Sequence, residues 1–174
     1  RNANSAIVVG IDPERDYPDH PLAGIELQRK LESLAFELGG KDYNAPAQTV
    51  GDFLAGKPAS ELGDVQPSFT PGITLTDLSK AIPEFAVEAI REAIPAFNRK
   101  IKGFASDDAL LTGVETRTSS PINIQRNKEF ESINTKGLYP AGEGAGYAGG
   151  ILSAGIDGIK IAEAVAKSML SKQS

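Results

Sequence analysis

The sequence predicts a mixed α+β fold, a small sheet with two or three long helices packed against it. Three observations predict it. Apolar residues recur at helical spacing in three long segments, short β-branched runs lie between them, and glycine clusters directly ahead of the last helix. Residues 6–11 form a β-branched run closed by Asp12-Pro13, the pattern of a buried strand meeting a turn. A polar, proline-rich stretch follows over 13–21. Leu31, Leu34, Ala35 and Leu38 then share one helical face, which predicts a helix over 22–38, stopped by Gly39-Gly40, with Lys30 and Glu37 toward water. Between residues 43 and 71, Pro46, Pro58, Pro67 and Pro71 predict mostly loop around one short helical candidate at 49–54.

A second long helix is written over 83–104, where Ala86, Ile90, Ala93, Phe97, Ile101 and Phe104 keep the helical period and Pro83 suits a first turn. Pro95 lies in its interior. A lost backbone bond and a ring clash cost about 3 kcal/mol there, so a break near Ala93 or Ile94 is expected. Residues 107–116 and 122–126 read as strands separated by the turn Arg117-Thr-Ser-Ser-Pro121, and 137–141 as a third strand. The sheet is therefore expected from strands near Ile7, Leu110, Ile122 and Leu138. The closing helix spans 150–170, with Ile151, Ala154, Gly155, Ile159, Ala162, Ala166 and Met169 along its apolar side and Glu163 and Lys167 paired on the other. The tail, 171–174, is expected to fray.

With 174 residues, 40% of them hydrophobic and 24% charged, the chain is long enough to bury a real core in one or two domains. A net charge of −5 and the absence of a basic run with interleaved aromatics argue against a nucleic-acid partner. Apolar runs fall far short of the roughly 20 residues that span a bilayer, and nothing resembles a signal peptide, so no membrane role is expected. Zero cysteines exclude disulfides and thiolate chemistry, and the single His20 excludes a multi-histidine metal site; no metal is expected. Any redox work must therefore use a bound cofactor. Absence of cysteine fits a cytoplasmic protein. The chain begins at Arg1 without a methionine and runs straight into Ala6-Ile-Val-Val9, so it reads as an excised piece.

Gly142, Gly144, Gly146, Gly149, Gly150, Gly155 and Gly158 crowd the approach to the last helix and its first turns. Glycine costs backbone entropy, and such a cluster makes sense where the chain bends sharply or comes close to something that is not side chain. The first N–H groups of a helix lack intrahelical partners and carry roughly half a unit of positive charge, a dock for an anion or a polar ring edge. Gly149-Gly150 presents bare backbone at that end, open to a flat heterocycle. Glu143 is a carboxylate poised to accept from the hydroxyls of a sugar or polyol, and Tyr147 is placed to cover or stack on the loop's occupant. The plainer alternatives are close packing at Gly149 and Gly150, capping of loop N–H groups by Glu143, and ordinary packing of Tyr147. At Gly155 and Gly158 close approach of a neighbouring element is the favoured reading.

No Gly-Lys-Ser/Thr ending marks a phosphate loop, and no acid follows about 20 residues on, as a first dinucleotide-binding unit requires. Ser119 and Ser120 have no histidine partner for a hydrolytic triad, and His20 in its proline-rich loop reads as solvated. Asp12, Glu14, Asp16 and Asp19 lack the central glycine and closing glutamate of a calcium loop and read as a solvated face.

Thr112-Gly-Val-Glu-Thr-Arg-Thr-Ser-Ser-Pro121, together with Gly137-Leu-Tyr-Pro-Ala-Gly-Glu-Gly-Ala-Gly-Tyr-Ala-Gly-Gly150 and its helix, resembles the C-terminal portion of a bacterial family of uncharacterised FAD-dependent dehydrogenases, NAD/FAD-utilising proteins. Asn2-Ala-Asn-Ser-Ala6 and Pro21-Leu-Ala-Gly-Ile-Glu-Leu-Gln28 are similar to the same proteins, so the resemblance covers most of the chain. It implies a larger flavoprotein whose N-terminal part supplies the first nucleotide-binding unit and grips the ADP half of FAD. Carried over by position, Gly142 and Glu143 would approach the ribityl hydroxyls, within a loop that includes Gly144, Gly146 and Tyr147. Gly149, Gly150 and Ile151 would offer backbone to the flavin, and Arg117 would lie near the flavin or its substrate. Glu143 stands where many flavoproteins carry aspartate. The resemblance implies a helical, substrate-side part over 13–105 and a partial FAD-binding domain from 1–12 and 106–174. It further implies hydride transfer at the flavin to or from a small-molecule substrate, with NAD(P) as a candidate electron partner. The chain alone is expected to bind FAD weakly and to be inactive, its partner being the missing N-terminal part; self-association as a homodimer stays open. The alternative from a different class is a non-catalytic interaction module built on the helices 22–38 and 83–104.

Overall fold

The computed structural model describes residues 2–171. In order along the chain, the elements are α1 (Pro13–Asp16), α2 (Ala23–Leu38), β1 (Ala45–Thr49), α3 (Val50–Ala55), β2 (Ile73–Leu75), a 3-10 turn (Leu78–Lys80), α4 (Glu84–Lys100), β3 (Leu110–Thr112) and α5 (Ile151–Ser171). The fold is α+β, as the sequence predicts. It divides into two compact units, one of residues up to Asp12 with Gln28–Glu115, the other of Pro13–Leu27 with the chain from Thr116 onward.

The first unit is organised on β1. This strand pairs parallel with β2, Ala45 opposite Ile73, and antiparallel with β3, Ala47 opposite Thr112, giving the order β2-β1-β3. β1 holds Pro46, and sequence reasoning placed loop here because proline cannot donate to a ladder. The pairing survives because only the donor is lost: the Pro46 carbonyl still accepts from the Gly113 N–H. β1 passes straight into α3, where Thr49 caps the helix by accepting the Asp52 N–H and donating its hydroxyl to the Asp52 carboxylate. Gln48, fully buried, donates to the Lys57 carbonyl and accepts from the Leu78 N–H, which ties the strand to the 3-10 turn. Val50, Phe53, Leu78, Val87 and Ile94 form the core, with Ile7, Ile82, Ile90, Ala109 and Leu111 packed on it.

Three further expectations fail in this unit. α4 is continuous through Pro95 rather than divided at Ala93 or Ile94. Val87 and Ile94 are buried on the turns that lead up to Pro95, and burying such side chains at about 1.5–3 kcal/mol each outweighs the proline penalty of about 3 kcal/mol. Residues 6–11 form no strand: Ile7 packs on the core, but the run lies along α4, sharing a groove with Ala89, Ile90, Ala93 and Phe97, and takes no place in the sheet. Of the expected strand over 107–116 only β3 remains.

In the second unit, 122–126 and 137–141 are not strands; among the described residues the stretch holds a single antiparallel bridge, Arg126 to Ser132. Neither run pairs along a ladder there; Ile124 N–H donates to the Ala145 carbonyl and Ser132 N–H to the Leu138 carbonyl, and side chains fasten the turns between the runs. Asn127 Oδ1 accepts the Glu129 and Glu131 N–H groups, and the Glu131 carboxylate accepts from Gly137 N–H. Gly24 packs where a Cβ would sit 2.8 Å from the Pro121 side chain, so the start of α2 closes tightly on that proline. α5 spans nearly the predicted range but is turned the other way: its buried residues are Asp157 and Ile161, while Ile151, Ile159 and Met169 are exposed. Ser171 ends α5, and the remainder of the expected frayed tail, 172–174, lies outside the described residues. No helix of the described residues is long and apolar enough to cross a membrane.

Candidate functional site

The chain from Gly142 to Gly150 folds as consecutive turns leading into α5. Gly146 N–H donates to the Glu143 carbonyl at 2.9 Å and Tyr147 N–H to the Gly142 carbonyl at 3.0 Å, so residues 142–147 form one tight loop. Ile124 N–H donates to the Ala145 carbonyl and Asn123 Nδ2 to the Gly146 carbonyl, fastening the loop to residues 123–124. The glycines divide by cause. Gly142 and Gly146 have φ of 63° and 81°, left-handed backbone that side chains rarely adopt, and a Cβ on Gly146 would stand 2.5 Å from the Ile122 carbonyl oxygen. The loop's own geometry requires these two.

Gly144, Gly149, Gly150, Gly155 and Gly158 answer to no such need. None has left-handed φ, and a Cβ on any of them would meet no atom nearer than the Ser153 hydroxyl, 3.7 Å from the Gly150 position. The sequence-based expectation of a neighbouring element close to Gly155 and Gly158 therefore fails among the described residues. Nor does packing among the described residues require Gly149 and Gly150. They present bare backbone outward at the start of α5. The first intrahelical bond runs from Ala154 N–H to the Gly150 carbonyl, so the amides of the preceding turn have no helical acceptor. Ile151 and Leu152, at 92% and 83% exposure, leave that helix end uncovered.

Beneath the loop lies a charge pair that sequence reasoning missed. Asp157 on α5 receives both arms of the Arg126 guanidinium, Nη2 to Oδ1 at 2.7 Å and Nη1 to Oδ2 at 2.9 Å, and the two side chains are only 10% and 11% exposed. Asp157 Oδ2 also accepts the Gly142 N–H at 2.8 Å, and Arg126 Nη1 donates to the Pro140 carbonyl at 2.8 Å. The guanidinium lies 3.6 Å from the centre of the Tyr147 ring and 4.9 Å from that of Phe130. The hydrogen bond from Arg126 holds the Asp157 carboxyl down at about 2, against the opposing effect of desolvation and with help from Gly142 N–H and the charges of Arg126 and Lys160. The same bond raises Arg126 above its ordinary value. A signal was available: Asp157 is a lone carboxylate in the apolar run from Ile151 to Ala162.

The structure places the other candidate residues as follows. Glu143 and Gly144 are exposed at the turn of the loop. Tyr147 donates its hydroxyl to the Ile124 carbonyl and gives one ring face to Arg126, so this side chain braces the loop. Arg117 is exposed in a turn that reaches the loop: Ser120 Oγ donates to the Gly144 carbonyl, and Ser119 Oγ lies 4.0 Å from the Cβ position of Gly149. His20 stays exposed and accepts the Leu22 N–H. Among the described residues no group of three or more His, Cys, Asp or Glu could hold a metal ion.

The chain is thus α+β, with a glycine loop opening onto an uncovered helix start. The chain belongs to the family described as FAD-dependent protein, C-terminal domain-like, whose model matches residues 1–118. It is also 55% identical over 162 residues to an uncharacterized protein of Clostridium beijerinckii, an alignment covering 93% of this chain and 30% of that protein. The chain thus spans about 30% of the length of this relative. The family match ends before the glycine loop, which stands on its own geometry.

Proposed function

We propose that the chain forms the C-terminal, flavin-facing part of an FAD-dependent oxidoreductase, a dehydrogenase in its full-length form. One observation carries the reading: in a member of an FAD-dependent family, Gly144, Gly149 and Gly150, which packing among the described residues does not require, lie on the loop that leads into α5. The donor set fits a flavin. Bare amides at Gly149, Gly150 and Ile151 suit the polar edge of its ring system, and the exposed carboxylate of Glu143 suits the ribityl hydroxyls. When bound, FAD supplies hydride acceptance and donation. The residues of this chain would hold it: the amides at the front of α5 would stabilise negative charge on a polar ring edge, and Glu143 would accept from the ribityl hydroxyls. Arg117 adds positive charge from the neighbouring turn.

The remaining length of a chain such as the clostridial relative supplies the unit that grips the ADP half of FAD, and the exposed apolar residues Ile151, Leu152, Ile156 and Ile159 of α5 support a covering polypeptide there. Residues 13–105 then face the substrate, a small molecule, with a nicotinamide nucleotide as electron partner. Affinity for FAD depends on the whole set of contacts, so this chain by itself holds the cofactor weakly. Purification of the full-length gene product tests the reading: flavin absorption in the isolated protein, or quenching of FAD fluorescence on addition, is expected. A colourless protein that leaves added FAD unchanged in both absorption and fluorescence overturns it.

A further inference from the structure

We infer that Arg126 and Asp157 are positioning residues for the cofactor, holding the glycine loop in the shape that presents Glu143 and the front of α5; this rests on the flavin reading. Glu143 sits between two fastened points. On its N-terminal side the Pro140 carbonyl accepts from Arg126, and the Gly142 N–H donates to Asp157. On its C-terminal side Tyr147 rests on the Arg126 guanidinium and is tethered through its hydroxyl to the Ile124 carbonyl. Both fastenings end on the same ion pair, and Asp157 belongs to α5 itself. The carboxylate that receives Gly142 therefore stands on the helix whose first amides form the other half of the candidate site, so loop and helix start are held in one register.

The chemistry of the pair points to positioning rather than adhesion. Apolar side chains of similar volume would join α5 to the loop as well as a buried ion pair does, because desolvation of two charges cancels much of their attraction. They would not hold the Gly142 amide or the Pro140 carbonyl. Gly142 has left-handed φ, a conformation with few alternatives once its N–H is directed at a fixed acceptor, so losing that acceptor frees the backbone directly beside Glu143. Arg126 does three things at once that lysine cannot: it binds two carboxylate oxygens, reaches a carbonyl, and stacks flat on a ring.

The test uses the full-length gene product and three variants: Asp157→Asn, Arg126→Lys, and the double apolar replacement Arg126→Met with Asp157→Leu, with Lys167→Ala at an exposed site as control. Folding is followed by circular dichroism and thermal melting without FAD, and cofactor handling by the FAD dissociation constant and the shape of the flavin absorption bands. The double replacement is expected to melt near the parent while its FAD affinity falls about tenfold or more and its bands shift. Arg126→Lys should fall between the two, and Lys167→Ala should match the parent. If the double replacement folds and binds FAD with parental affinity and bands, the positioning role is overturned and the flavin reading stands. If the parent itself binds no FAD, both are overturned.

Discussion

The two longest helices, α4 of 17 residues and α5 of 21, are held by opposite means. α4 buries Val87 and Ile94 in a closed core with Val50, Phe53 and Leu78, and that burial carries it through an interior proline. α5 buries one aliphatic side chain, Ile161, and one charge, Asp157, and leaves Ile151, Leu152, Ile156, Ile159, Met169 and Leu170 exposed. The first helix is complete within its own unit. The second is fixed at Asp157 and Ile161 and leaves an apolar surface and its first turn exposed. That difference separates a helix closed in a core from one fastened at its polar face more clearly than amphipathicity could, since both helices are amphipathic in sequence.

The comparison can be broken most easily in the core. Ile94→Ala should cost about 4 kcal/mol, as a fully buried aliphatic leaves both lost transfer energy and a cavity, whereas Ile159→Ala on α5 should change the midpoint of denaturant unfolding almost not at all. Equal losses at the two sites would end the distinction. Next in size is Arg126→Ala, which strands Asp157 as a buried, uncompensated charge at about 3 kcal/mol. Its pH signature is specific. The folded Asp157 pKa is depressed from the ordinary 3.8 to about 2, so the pair's contribution is full above the unfolded value and disappears as pH falls from there toward 2. Acid titration of the parent and of Asp157→Asn should diverge in that window and run parallel above it.

Among the glycines, Gly146→Ala should destabilise by about 2 kcal/mol, through left-handed φ and the approach of the Ile122 carbonyl. Gly149→Ala has open space for its methyl group and ordinary φ, so its effect on the melt should stay within about 0.5 kcal/mol. In the full-length protein the same Gly149→Ala should weaken FAD binding, read by fluorescence titration. A loss of stability at Gly149 comparable to that at Gly146 would show that its bareness serves packing after all.

Legibility along the sequence followed the range of the interaction involved. α2, α3 and α5 were readable to within a residue or two because helical period, caps and glycine stops are local. The glycine loop was readable for the same reason, as a run of residues with unusual backbone freedom. Its brace was not: Arg126 and Asp157 are 31 positions apart, and although a lone carboxylate in an apolar run marks Asp157, nothing local points to its partner. Strands fared worst. Pro46 hid the central strand β1, while Ile7, Ile122 and Leu138 lie in runs with strand composition but find no ladder, because a strand exists only where a partner's backbone arrives.

What the sequence determined by itself was the presence of α2, α3 and α5, the mixed class of the fold, the exclusion of thiol chemistry, and the glycine loop ahead of the last helix. Each of these follows from residue type and near-neighbour spacing. Tertiary structure alone decided which side of α5 turns inward, whether α4 survives its proline, and which glycines the fold needs. Those outcomes are set by burial and by donors and acceptors that meet across many residues: Ile94 in its core outweighs Pro95, and one carboxylate, paired with Arg126 and Gly142, overrules the apolar stripe around it.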